Sequence, residues 1–161
     1  MKQTILGIDT GSTKIGYGAI SFNNSDRPKA IGYGYISLEK IKDSRERLYE
    51  LHKDLKKILK LYNPAQIAIE NLYFFKNAKT FTPVIQSKGI ILFTSYELNI
   101  DAFEYTPLQV KQTICGYGRA TKDMINKLVK SSLHISSNIK PDDASDALAI
   151  ALCHLRHLTG S

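Results

Sequence analysis

The sequence predicts an α/β domain, a mixed five-stranded sheet flanked by helices, from three observations. Residues 3–38 alternate apolar, strand-like runs with connections of hairpin length. From Asp43 the apolar spacing becomes that of a helix, and at Gln66 it returns to that of a strand. One more short strand and several helical stretches complete the chain. Its 161 residues are enough for one domain that buries roughly two-thirds of its unfolded surface.

Residues 3–9, 14–22 and 29–38 read as strands. Residues 10–13 and 23–26 are rich in Gly, Ser, Asn and Asp, so these strands form an antiparallel meander. Tyr17, Tyr33 and Tyr35 suit strand positions. In the next segment Leu48, Leu51, Leu55, Ile58, Leu59 and Tyr62 fall on one helical stripe. Asp43 and Glu46 have capping-box spacing, and Asn63-Pro64 ends the helix. A strand, helix, strand unit of this length makes a right-handed crossover, which lays residues 66–70 parallel to residues 3–9.

After an irregular stretch, 71–82, Pro83 opens a helix over 83–98. Ile85, Gly89, Ile90, Leu92, Phe93 and Tyr96 cover more than one of its faces, so it needs two partners. Either both lie within the domain or one is a second subunit. A strand over 101–105 precedes Pro107 and a helix running toward Ile114. The loop 116–120 leads to a helix over 121–133, residues 136–138 form a loop, and Pro141 starts an alanine-rich final helix that can pack closely on a sheet. The domain spans 1–157, and 158–161 read as a frayed tail.

Net charge is +7, from 22 Lys and Arg against 15 Asp and Glu. Such a surface attracts polyanions, nucleic acid first, although a lysine-rich surface can also serve solubility alone. Cys115 and Cys153 have no CxxC or Cys/His ligand spacing, which speaks against zinc and for reduced, buried thiols. His52, His134, His154 and His157 likewise lack ligand spacing and read as structural or surface groups. With no membrane-length apolar run and no signal-peptide core, the expected setting is the cytoplasm.

Against this basic background the acids are gathered. The runs Ile5-Leu6-Gly7-Ile8 and Gln66-Ile67-Ala68-Ile69 end in Asp9 and Glu70, which parallel neighbouring strands would place side by side. Asp143 and Asp146, three apart at a helix start, point from one face, where the helix N-terminus partly offsets their charge. Like carboxylates at close range raise one another's pKa unless a divalent cation lies between them. Oxygen-only ligands favour Mg²⁺, with Mn²⁺ as substitute. Four such groups can hold two ions roughly 3.5–4 Å apart, the arrangement that cleaves phosphodiesters. Taken singly, each element has a plain alternative: Asp9-Thr10-Gly11 a turn, Glu70 a surface acid, Asp142-Asp143 a capping pair.

Several stretches together resemble the RuvC family of Holliday-junction resolvases, within the ribonuclease H-like nuclease superfamily. They are Ile8-Asp9-Thr10-Gly11-Ser12 with Gly16-Tyr17-Gly18, Ile69-Glu70 with the following aromatics and Lys76-Asn77, and Tyr105-Thr106-Pro107 with Val110-Lys111-Gln112. Gly116-Tyr117-Gly118-Arg119-Ala120-Thr121-Lys122 and Asp143-Ala144-Ser145-Asp146-Ala147-Leu148-Ala149, ending Leu152-Cys153-His154, complete the set. The resemblance covers nearly the whole chain.

It implies a metal-dependent endonuclease that makes paired, symmetric nicks in four-way DNA junctions during recombination and repair, leaving 5′-phosphate and 3′-hydroxyl ends. It also implies Asp9, Glu70, Asp143 and Asp146 as catalytic metal ligands, with Lys111 and Lys122 supporting activity, and makes Asp142 a helix cap. Tyr73 and Phe74, with Lys76, Lys111, Arg119 and Lys122, are the implied DNA contacts; exposed aromatics beside a nuclease site suit stacking on unpaired bases. The implied assembly is a homodimer, with RuvA and RuvB as branch-migration partners where these exist. Two departures stand out: Thr10 where the family often has Pro, and Gln86-Ser87-Lys88-Gly89 where it often has Gln-Ala-Arg-Gly. Residues 8–13 also resemble the first phosphate segment of actin-like ATPases and sugar kinases. An ATP-binding module is therefore the alternative, although no second lobe or Asp-Gly-Gly segment accompanies it.

Overall fold

The computed structural model describes residues 2–23, 27–71 and 78–160. Strands β1 (Gln3–Asp9), β2 (Lys14–Phe22) and β3 (Lys29–Ser37) form the expected meander. Helix α1 (Ser44–Tyr62) crosses over to β4 (Gln66–Glu70), which pairs parallel to β1. Then follow α2 (Ala78–Glu97), β5 (Asp101–Tyr105), α3 (Pro107–Cys115), α4 (Lys122–Ser132) and α5 (Asp142–Thr159). The sheet has five strands in the order β3-β2-β1-β4-β5, mixed as the sequence predicts.

Strand alternation sorts side chains between two cores. Leu6, Ile8, Ile67 and Ile69 pack against Leu51, Leu55 and Leu59 of α1 and Ile91 of α2. Each such aliphatic side chain contributes about 1.5–3 kcal/mol on burial. Ile5, Ile20 and Ala68 face the other way, into a core built from α3, α4 and α5. Because side chains repeat every second residue, Asp9 and Glu70 share the side of Ile5 and Ala68, and so face α5.

Glycine lets α5 come that close. A Cβ at Gly7 would collide with the carbonyl of Ala147, and one at Gly16 with the carbonyl of Asp143. Gly7→Val should therefore cost about 3 kcal/mol or more of stability, because backbone, not a flexible side chain, occupies the space. Urea unfolding measures it, and a loss below about 1 kcal/mol would mean that α5 can lift off the sheet freely.

The structure corrects several expectations about boundaries. Helix α2 begins at Ala78 with Pro83 inside it, not at Pro83. So near the helix start, a proline forfeits one backbone bond without ending the helix. Asp43 caps α1 through Arg45 N and Glu46 N, while a full reciprocal capping box occurs at Thr106 and Gln109 of α3. The last helix continues through Leu158 to Thr159 and closes on Gly160 in the left-handed conformation, so 158–159 are helix rather than tail. Cys153 is buried as expected, but Cys115 is only half-buried.

Among the described residues no helix is long and apolar enough to cross a membrane. His154 is buried, lying 2.6 Å from the Tyr105 hydroxyl and 2.9 Å from Gln66 Oε1, as a structural histidine should be. Burial, then His157, pushes its pKa down to about 4, which keeps it neutral.

Candidate active site

The last paired residues of β1 and β4 are Ile8 and Ile69, so Asp9 and Glu70 stand next to each other just beyond them, at one edge of the sheet. Asp9 is also opposite Gly16 of β2. Since Gly16 lies under the Asp143 backbone, the start of α5 is held against the strand end that carries Asp9. Asp146 follows one turn later on the same helix face. The four acids predicted from the sequence thus meet at one place, from three separate elements.

Their charges register this. Burial, followed by Glu70, Asp146 and Asp143, raises the Asp9 pKa to about 7, with Lys122 opposing. Burial and then Asp146 raise Glu70, and burial raises Asp146 against the pull of Lys122. The Lys122 ammonium lies 3.1 Å from Asp146 Oδ2 and 3.2 Å from Asp142 Oδ2. Desolvation works against its charge, but the bonds to Asp146 and Asp142 hold its pKa above the ordinary value. Asp142 is therefore not a cap: Pro141 occupies that position without a side-chain bond, and the Asp142 carboxylate reaches Lys122 instead.

A cleft of about 240 Å³ opens over two of the acids, Glu70 and Asp146, and is lined also by Lys111, Lys122, Pro107, Val110 and Ile125. A larger cavity of about 610 Å³ lies at the opposite end of β2, around Phe22, and contains none of the four acids. Arg119 is exposed in the turn between α3 and α4. Tyr73, Phe74 and Lys76 lie outside the described residues.

The donor set is oxygen only and carries more negative charge than Lys122 can balance, which fits hard divalent cations. Among the described residues, no three His, Cys, Asp or Glu side chains are drawn together into a metal cage.

Two features were not foreseen. The Thr10 hydroxyl, next to Asp9, is buried and has no hydrogen-bond partner among the described residues. Lys88 of α2 bonds Glu104 Oε2 at 2.6 Å and Asn71 Oδ1 at 3.2 Å, and so ties the residue after Glu70 to both α2 and β5. The signal in both cases was faint: each position differs from the residue the family often carries there.

Comparison with known proteins bears directly on this geometry. The family model described as "Crossover junction endodeoxyribonuclease RuvC" matches residues 5–154. The chain belongs to the RuvC crossover junction endodeoxyribonuclease family. It is 46% identical over 151 residues to the RuvC of Caldicellulosiruptor saccharolyticus, covering 94% of this chain and 91% of that one. The RuvC of Caldanaerobacter subterraneus is 43% identical, with 93% and 90% covered. Among solved structures, Thermus thermophilus RuvC in complex with a Holliday junction substrate superposes with TM-score 0.91 at 26% identity, covering 97% of this chain and 94% of that one. Family membership makes this chain a Holliday-junction resolvase with the RuvC-like ribonuclease H fold, and decides the two readings of residues 8–13 for nuclease over ATP-binding module.

Proposed function

We propose that Asp9, Glu70, Asp143 and Asp146 form the hydrolytic centre of this resolvase and hold two Mg²⁺ ions, or Mn²⁺, while it nicks four-way DNA junctions in symmetric pairs. The observation that carries this is the convergence of four carboxylates at one sheet edge, where Asp9 is raised to about 7. Bound there, divalent ions would activate water and offset charge developing on the leaving oxygen. Asp9, which feels the charges of Glu70, Asp146 and Asp143, would hold the ions together with those three carboxylates. Lys122 orients Asp146 and Asp142 and, with Lys111, places positive charge along the cleft where a phosphate would lie. Cleavage leaves a 5′-phosphate and a 3′-hydroxyl.

The same reading makes the protein a cytoplasmic homodimer built on α2, whose Phe93 and Tyr96 are 58% and 84% exposed beside Ile85 and Gly89. A two-fold dimer presents two such sites to a nearly two-fold substrate. Tyr73 and Phe74, following Glu70 in sequence, would stack on bases at the branch point, with Lys76 and Arg119 on the backbone, and RuvA and RuvB would act with the dimer where present.

Incubation with a branch-migratable junction carrying varied sequences, with Mg²⁺ or with chelator, tests this. Paired nicks that ligase seals, only with metal and absent from linear duplex, are expected, from a protein that sediments as a dimer. Unpaired or metal-independent nicking would overturn it.

A further inference from the structure

Beside the cleft lies an apolar ledge that the chemistry above does not use. Tyr117, in the turn between α3 and α4, is 45% exposed, and Leu108 at the start of α3 is 54% exposed. Met124, in the first turn of α4, and Leu128, one turn further, are exposed as well. Two contacts make these residues one surface. The Tyr117 hydroxyl donates to Met124 Sδ at 3.1 Å, and the end of the Leu108 side chain packs directly against Gly118, where a Cβ would push it aside.

The second contact also fixes where the ledge is. It folds the turn back onto the first turn of α3, where Pro107 and Lys111 line the cleft with Glu70 and Asp146. The tyrosine, its hydroxyl anchored on Met124 and its ring 45% exposed, is thus held in a turn that packs beside the first turn of α3, next in sequence to residues that line the cleft. Arg119, two residues on in the same turn, is exposed, and Lys111 and Lys122, on the two helices the turn joins, line the cleft, Lys122 being paired with Asp142 and Asp146.

An exposed apolar patch on the two helices that also carry the cleft-lining Lys111 and Lys122 matches a nucleotide: apolar ring for the base, cations for the phosphates of the strand that reaches the cleft. Resting on the junction-cleaving reading above, we infer that Tyr117 is a substrate-positioning residue that stacks on one unpaired base of the strand entering the cleft, with Leu108 and Met124 supporting its ring. Base stacking has no preferred partner among the four bases, so the ledge holds the strand in place without reading its sequence.

The test uses full-length protein carrying Asp146→Asn, so that junctions bind without being cut, and junctions with 2-aminopurine placed one nucleotide at a time around the cleavage position. Fluorescence quenching at one position is expected with Tyr117 and with Tyr117→Phe, and should vanish with Tyr117→Ala. In the cleaving protein, Tyr117→Ala should lower cleavage at limiting junction roughly tenfold, with the salt slope of binding unchanged because no phosphate contact is lost. Quenching that survives Tyr117→Ala, or equal cleavage by Tyr117→Ala and its parent, overturns the inference while leaving the junction reading intact. A protein that neither binds nor cuts junctions removes that reading and the ledge's ligand with it.

Discussion

Asp146→Asn protein should bind four-way junctions about as tightly as its parent and cut them roughly a thousandfold more slowly. The substitution keeps the size of the side chain and removes one charge from a cluster in which Asp146 raises both Asp9 and Glu70. With less repulsion the fold is relieved, so the melting temperature should hold or rise. Lys122 keeps its other partner, Asp142, at 3.2 Å. Slow cutting combined with undiminished stability would therefore report lost chemistry rather than lost structure. Single-turnover cleavage beside a gel-shift titration and a thermal melt measures all three. Cleavage within a few-fold of the parent would take Asp146 out of the catalytic set.

The second large effect concerns pH. In the unfolded chain the Asp9 carboxyl titrates near 3.8, whereas in the fold it titrates near 7. Between those values the folded protein holds a proton that the unfolded chain has released. Stability of the metal-free protein should therefore fall as pH rises from about 4 to about 7 and level off above that. Glu70 and Asp146, also raised, push the same way.

Asp9→Asn removes the largest part of the penalty and should stabilise the metal-free protein at pH 8 by something of order 3 kcal/mol, with little gain at pH 4. Divalent cation should reverse the ranking by stabilising the parent more than the variant. Denaturant unfolding at pH 4 and 8, with chelator and with Mg²⁺, measures each term. A parent that grows more stable from pH 4 to 8 in chelator would show that Asp9 is ionised without strain.

Most of the frame follows from pattern. The meander, the crossover to residues 66–70 and the parity that turns Asp9 and Glu70 to one side are consequences of period and connection length, and they needed no tertiary information. What the pattern could not contain was contact between distant segments. Asp142 has the composition of a cap, yet Lys122 lies within reach and Pro141 supplies no side-chain bond, so the carboxylate pairs across elements. Pro83 carries the local signal of a first turn, yet the helix starts five residues before it, at Ala78. The Lys88 bridge to Asn71 and Glu104, and the fold of the Tyr117 turn onto Leu108, join residues that no spacing rule connects.

The packing of α5 on the glycines of β1 and β2 also has a meaning in time. Two of the four acids belong to strands in the first half of the chain, and the other two to its last element. A ribosome part-way through the message holds Asp9 and Glu70 with nothing to complete them, and the exposed groove along Gly7 and Gly16 waits for a helix not yet made. On the proposed assignment a growing chain lacks two of its four carboxylates until α5 packs over Gly7 and Gly16, so cutting would begin only with the step that seals the core.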